Sequence, residues 1–182
     1  DFDGQRVLDR LDFTLRSGQA VLLRGENGSG KTTLLNVISG LIRPDAGDIR
    51  MCLKDRQIDP AHTSPELLAC AGLGRLWQDI RLFPTMTVLD NVIAASPSLR
   101  RTTALASVAA WPWLRRHERA ARERALYNLD LVGMADRAHS SADMLSVGQM
   151  KRVAVARLLQ SEADLWLLDE PLAGLDQLSA EG

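Results

Sequence analysis

Apolar positions along the chain switch between two periods, and the switches mark its elements. Leu11, Phe13 and Leu15 alternate with Asp12 and Thr14, the period of two of a half-buried strand. Ser17-Gly18 turns the chain into a second strand, the apolar run Val21-Leu22-Leu23 ending at Arg24. Thr33-Leu34-Leu35-Asn36-Val37-Ile38 has helical spacing and stops at Gly40, before the turn cluster Arg43-Pro44-Asp45-Ala46-Gly47. A short strand over Asp48–Cys52, a polar loop over Ile58–Pro65 and a strand over Leu73–Trp77 are expected next. From Thr87 to Ala95 the pattern is helical, with Thr85 or Thr87 as N-cap.

Ser96 to Pro112 reads as irregular, whereas Leu114 to Met134 reads as a charged amphipathic helix in which Ala121, Ala125 and Leu129 recur at a spacing of four. Ser146–Gln160 is a further helix, and Leu165–Leu168 a short, wholly apolar strand. Apolar strands alternating with helices predict an α/β fold with a mostly parallel, buried sheet. Residues 79–145 are expected to form an inserted α-helical subdomain. It would sit between residues 1–78, carrying the N-terminal β region and the first part of the core, and residues 146–182, which return to the core.

Composition narrows the classes without choosing among them. At 182 residues the chain suits one domain with an insertion. A net charge of -1 gives no global drive toward nucleic acid or an anionic membrane. Cys52 and Cys70 lack metal-type spacing, so a reducing compartment is the default reading. No apolar run approaches the roughly 20 residues needed to span a bilayer. The chain begins in a strand-forming stretch and stops at Glu181-Gly182, just after a dense motif, so a fragment of a longer protein is expected.

Three segments carry chemistry. Gly25-Glu26-Asn27-Gly28-Ser29-Gly30-Lys31-Thr32 reads G-x-x-x-x-G-K-[ST], and Thr33 extends the hydroxyl pair. Glycines let such a loop wrap with its N–H groups turned inward on phosphates, and the helix that follows adds the positive end of its dipole. Lys31 would reach the β- and γ-phosphates and the Thr32 hydroxyl would ligate Mg²⁺; the bland alternative is a chance glycine-rich turn. Leu165-Trp166-Leu167-Leu168 is followed by Asp169-Glu170, two carboxylates at a strand's carboxyl end, where open α/β sheets place their ligands. One can hold the water shell of Mg²⁺ and the other can polarise an attacking water; alone, the pair could equally be a solvated strand end. Leu145-Ser146-Val147-Gly148-Gln149 opens the helix that follows, with Ser146 placed as N-cap. By itself that is ordinary capping, yet a second helix start suited to an anion invites a phosphate from a partner.

In order and spacing, Gly25–Thr32, Gln78, Leu145–Gln149, Leu165–Glu170 and Leu172-Ala173-Gly174-Leu175-Asp176 resemble the nucleotide-binding subunits of ABC transporters. The resemblance covers nearly the whole chain and implies a P-loop ATPase core with N-terminal antiparallel strands, bound ATP and Mg²⁺, and hydrolysis of ATP. It makes Gly25–Thr33 the Walker A loop, Asp169 the Walker B aspartate assisting Mg²⁺, and Glu170 the water-polarising base. Gln78 becomes the Q-loop glutamine that contacts Mg²⁺ and the attacking water. Leu145–Gln149 becomes the signature that binds ATP held by the opposite monomer, and Asp176 closes that dimer interface. Phe2 falls where the family places the ring that stacks on adenine, although it is equally a core residue.

The resemblance also implies partners: a second ATP-binding subunit, identical or not, and transmembrane permease subunits. These would hold the chain in the cytoplasm against the inner face of the membrane, with no nucleic acid expected. Two departures stand out. Val147 replaces the first glycine of the signature, and the chain ends before the family's switch histidine, since His62, His117 and His139 all lie upstream. The expectation is a complete ATPase in the parent and poor binding of ATP, or no hydrolysis, by this chain alone.

Gln78-Asp79-Ile80-Arg81-Leu82-Phe83-Pro84-Thr85-Met86-Thr87-Val88-Leu89-Asp90-Asn91-Val92 further resembles the segment after the Q-loop in importers of branched-chain amino acids and related solutes, a pattern much of which lipopolysaccharide-export ATPases and other small bacterial ABC subunits share. The competing class is a soluble ABC ATPase acting on nucleic acid or ribosomes, which usually carries tandem cassettes or extra basic surface. Arg100 to Arg124 is rich in arginine and reads either as a face toward anionic headgroups or as a solvated helix face with i, i+4 partners such as Glu118 and Arg122. Trp111-Pro112-Trp113 would dock a permease helix or fold onto the subdomain, and Met144 and Met150 are read as packing residues.

Overall fold

The computed structural model describes residues 6–99 and 111–169. The chain divides into two compact units, Asp1–Leu68 and Ala69–Gly182.

In the first unit, helix α1 (Lys31–Ile38) buries Leu34, Leu35 and Val37. It ends in a Schellman motif: the Leu41 N–H donates to the Asn36 carbonyl at 2.9 Å and the Gly40 N–H to the Val37 carbonyl at 3.1 Å. Gly40 has φ 71, and a Cβ there would meet Leu68 Cδ1 and the Thr63 carbonyl oxygen, each at 2.8 Å. Strands β1 (Met51–Leu53) and β2 (Arg56–Ile58) form an antiparallel hairpin with Met51 opposite Ile58. Lys54 and Asp55 both take positive φ, the two-residue turn whose twist matches paired strands. Ile58, expected in a loop, is thereby in a strand.

The two strands expected at Leu11–Leu15 and Val21–Arg24 are not formed. Among the described residues no ladder includes them, and Leu11, Phe13, Val21 and Leu22 are exposed. The turn between them is present, with Gly18 at φ 77 and the Gln19 N–H donating to the Arg16 carbonyl. Alternation expresses a preference for extended backbone, whereas a strand exists only where a neighbour supplies the hydrogen bonds. The β1–β2 hairpin finds that neighbour two residues away.

Helix α2 (Pro65–Ala71) crosses the boundary between the units and leads into the second. There, strand β3 (Leu73–Leu76) pairs in parallel with β4 (Leu165–Leu168), Leu73 opposite Leu165 and Leu76 opposite Leu168. Parallel pairing needs a long crossover, and here it carries helices α3 (Val88–Ile93), α4 (Trp111–Leu131) and α5 (Val147–Gln160). Thr87 caps α3, its side chain accepting from the Asp90 N–H, which settles the choice between Thr85 and Thr87. α4 starts three residues earlier than expected; Pro112 is tolerated because first-turn N–H groups have no partner within the helix.

The three helices close over one apolar core that includes Val88, Leu89, Val92, Ala125, Leu129, Met134, Val153 and Ala156. Ala125 and Ala156 let neighbouring helices approach. Met150 packs on this core, whereas Met144, expected to pack, is exposed. β4 was expected to be buried throughout, but Trp166 and Leu168 are 42% and 44% exposed and only Leu167 is buried. Glycine at position 74 lets α5 lie on β3: a Cβ there would stand 2.5 Å from Leu158 Cδ1 and 2.8 Å from Ala163 Cβ.

A buried polar knot ties the helices together. Asn128 Nδ2 donates to Gln160 Oε1 at 2.7 Å, and Gln160 Nε2 donates to Ser96 Oγ at 2.7 Å and to the Ala121 carbonyl at 3.0 Å. Gln160→Ala leaves Asn128 and Ser96 without these partners and is expected to destabilise the protein by about 2–3 kcal/mol in chemical denaturation. Gly40→Ala should cost about 1–3 kcal/mol in the same assay, through left-handed backbone and the clash with Thr63.

Candidate functional site

The glycine-rich loop runs into α1 through Gly30, whose backbone is left-handed at φ 89 and ψ 6. Gly28 is also left-handed at φ 83, and the Ser29 N–H donates to the Glu26 carbonyl at 3.2 Å, closing a turn. A Cβ on Gly25 would stand 2.5 Å from Ser29 Oγ, so the loop closes only because Gly25 has none. Lys31 Nζ folds back into this turn and donates to the Gly25 carbonyl at 2.8 Å and the Glu26 carbonyl at 2.7 Å. No side chain caps α1, which leaves its first-turn N–H groups, Lys31 to Thr33, without intrahelical acceptors. The segment is therefore a tight turn folded around one ammonium and followed by an uncapped helix start, features suited to a polyanion.

In the second unit the tips of β3 and β4 bring two predicted residues together. The Asp169 N–H donates to the Leu76 carbonyl at 3.1 Å, extending the ladder one residue past Leu168. Gln78 and Asp169 line the same small recess, joined there by Trp77, Ile80 and Lys151. Arg75 approaches the aspartate: its Nη2 lies 3.6 Å from Asp169 Oδ2, with side chains only 6% and 10% exposed. The guanidinium carbon of Arg75 also sits 3.8 Å from the centre of the Trp77 ring. Burial pulls the Arg75 guanidinium below its ordinary value, and the charge of Asp169 pushes it back. At an effective dielectric of about 20 the gross attraction at this distance is about 4–5 kcal/mol, much of which offsets the desolvation of both ions.

The segment after Gln78 is held from two sides. Asn91, fully buried, accepts from the Phe83 N–H at 2.8 Å and donates to the carbonyls of Phe83 and Thr87 at 3.0 Å. Arg157 of α5 donates to the Arg81 carbonyl, and its guanidinium lies 5.6 Å from the Phe83 ring centre. Burial lowers the pKa of Arg157 too. Arg75, Asn91 and Arg157 were missed in the sequence. The available signal was a polar or charged residue inside an apolar element, as Arg75 is between Gly74 and Leu76.

Ser146 is the N-cap of α5 in a full capping box. Its Oγ accepts from the Gln149 N–H at 3.3 Å and its own N–H donates to Gln149 Oε1 at 2.9 Å. The Val147 and Gly148 N–H groups remain first-turn amides without intrahelical acceptors, and the Val147 side chain is exposed. Leu145 is buried in the helical core. Of the arginine-rich stretch, Arg119 pairs with Glu123 at 3.0 Å on an exposed face and Arg124 pairs with Glu162, so the i, i+4 partnership falls on Arg119 rather than Arg122. Phe2, Glu170 and Asp176 lie outside the described residues, as do the side chains of Trp111 and Trp113.

Among the described residues no three His, Cys, Asp or Glu side chains cluster to cage a metal. At the recess in the second unit, Gln78 and Asp169 offer a carboxamide and a carboxylate, both with hard oxygen donors. That suits Mg²⁺, which takes few protein ligands and fills its shell with water and phosphate oxygens. Among the described residues no helix is long and apolar enough to cross a membrane.

Residues 8–173 match the family model described as "ABC transporter". The chain is 34% identical over 175 residues to the high-affinity branched-chain amino acid transport ATP-binding protein BraF of Pseudomonas aeruginosa, covering 96% of this chain and 67% of the relative. It is 31% identical, with the same coverage, to the corresponding protein LivG of Escherichia coli. The fold matches the dimeric post-hydrolysis structure of the ATP-binding cassette MJ0796 bound to ADP and Pi. The TM-score is 0.73 at 27% identity, over 96% of this chain and 70% of that one. The chain therefore belongs to the ABC transporter family, as one of its ATP-binding, ATP-hydrolysing cassettes.

Proposed function

We propose that this chain powers a membrane importer of amino acids by closing on a second ATP-binding subunit around two ATP molecules. The observation that carries the dimeric part is the pair of first-turn amide clusters, the uncapped one at the start of α1 and the Val147 and Gly148 N–H groups that the capping box leaves without intrahelical acceptors at the start of α5. A single nucleotide needs one phosphate cradle; the second is suited to the γ-phosphate of ATP bound by a partner. Support for the cargo comes from BraF and LivG, both named for branched-chain amino acid transport.

In this reading Lys31 releases the loop carbonyls and turns to the β- and γ-phosphates, while Gly25–Thr33 wraps them. The adenine stacks on Phe2. Thr32, Gln78 and Asp169 would hold Mg²⁺, which would neutralise the charge that develops on the phosphate oxygens. Glu170 orients and deprotonates the attacking water, and Gln78 couples the site to the permease through the segment clamped by Asn91 and Arg157. Leu145–Gln149 receives the partner's ATP, with Val147 at the first helical position in place of the first glycine of the family's signature, and Asp176 closes the interface. Residues 79–145 form the helical subdomain that meets permease subunits at the cytoplasmic face of the membrane.

Lys31→Ala should weaken binding of a fluorescent ATP analogue by roughly 10- to 100-fold, the scale of losing charge-assisted hydrogen bonds; retained affinity would refute the phosphate cradle. In the full-length protein, Glu170→Gln should lower turnover by about 10²- to 10⁴-fold and leave an ATP-bound dimer on size-exclusion chromatography. A monomer with undiminished turnover contradicts the role given to Glu170. Co-purification with a permease, and amino-acid uptake by that complex, tests the transport assignment.

A further inference from the structure

An arginine has no ordinary place in a short apolar strand. Arg75 is the third residue of Leu73-Gly74-Arg75-Leu76, and its head is withdrawn from water at a cost that only a matched partner offsets. Backbone register selects the partner. Arg75 faces Leu167 across the parallel ladder, and Asp169, two residues beyond Leu167, shares its face. Arg75 and Asp169 are thus diagonal neighbours, and their charged groups come within 3.6 Å. Trp77, two residues after Arg75, lays its ring against the guanidinium at 3.8 Å. The ring orients the guanidinium while the carboxylate neutralises it.

Asp169 also lines the recess that contains Gln78. On the reading of Asp169 given above, the same carboxylate faces Mg²⁺ when nucleotide is bound. One buried carboxylate cannot satisfy a guanidinium and a divalent cation fully at the same time, because each draws on the same oxygen charge.

We propose that Arg75 is a positioning residue, the standing counter-cation of Asp169, that holds the carboxylate at the strand tip without nucleotide and competes for it with the metal of Mg²⁺–ATP. The strength of the Arg75–Trp77 clamp then sets how much Mg²⁺ nucleotide binding demands. The inference rests on the assignment of Asp169 to the metal side of the site.

The test is a Mg²⁺ titration of fluorescent ATP-analogue binding by the full-length protein, with thermal unfolding of the nucleotide-free form alongside. Arg75→Gln should lower the half-saturating Mg²⁺ about five- to tenfold, the usual scale of coupling between two ligands, while lowering the nucleotide-free melting temperature. Arg75→Lys keeps the charge but loses the planar group that lies against Trp77, so it should lower the midpoint by less than Arg75→Gln, about two- to fivefold. A purely structural Arg75 would move the melting temperature and leave the Mg²⁺ midpoint in place; an unchanged or raised midpoint in Arg75→Gln overturns the proposal. Should that variant not fold, Trp77→Leu, at an exposed ring, should lower the midpoint about two- to fivefold, and no change there overturns it equally. Asp169→Asn separates the two failures. A raised midpoint in Asp169→Asn beside an unmoved Arg75→Gln sinks the counter-cation and keeps the metal role of Asp169. No effect of Asp169→Asn removes the metal role and the counter-cation with it.

Discussion

The arrangement of the second unit depends on how closely α5 can lie on β3. At Gly74 the missing Cβ leaves room for Leu158 and Ala163, which would otherwise stand within 2.8 Å of it. The helix that begins at Val147 and the strand that leads to Gln78 are therefore one packed body. Close packing transmits displacement because interiors have few voids to absorb it. Ala156, on the same helix, is fully buried against the neighbouring helices, and Gln160 at its end is tied by hydrogen bonds to Asn128, Ser96 and the Ala121 carbonyl. A change at the capped start of α5 is thus mechanically linked to the strand tips.

That rigidity gives the polar groups their meaning. Arg75 and Arg157 are cations drawn out of water, each supported by an aromatic ring and by an oxygen acceptor or anion. Exposed, such contacts would contribute little. On a packed scaffold, the buried head of Arg75 and the half-buried Arg157 fix where a carboxylate and a loop backbone stand. Asn91 does the same without charge, satisfying both its amide and its carbonyl on the backbone of 83–87. The segment after Gln78 is ordered by groups that lie on α3 and α5 rather than by its own residues.

Local chemistry predicted well wherever a short stretch contains both halves of an interaction. The Ser146 N-cap, the turn at Gly18 and the helix starting at the glycine-rich loop all close within a few residues and formed as read, and of the two caps expected for α3, Thr87 is the one that formed. Elements that need a distant neighbour fared unevenly. Leu11–Leu15 and Val21–Arg24 have strand patterns without a ladder, while Leu73–Leu76 and Leu165–Leu168 found one another across some ninety residues. Burial of β4 was overestimated for the same reason, because an apolar run says which residues prefer cover and nothing about which face receives it.

By itself the sequence determined the glycine-rich loop and its lysine, the apolar strand leading to a carboxylate pair, the capped helix start, and through them membership of the ABC transporter family. These are statements about residue type and spacing, and both are preserved along the chain. Only the tertiary structure decided that Arg75 meets Asp169, that Gln78 shares a recess with that aspartate, and that Asn91 and Arg157 hold the intervening loop. Parallel pairing joins residues far apart in sequence, and the face a side chain takes follows from register. Which charges become neighbours is therefore settled when the strands align and the helices pack on them.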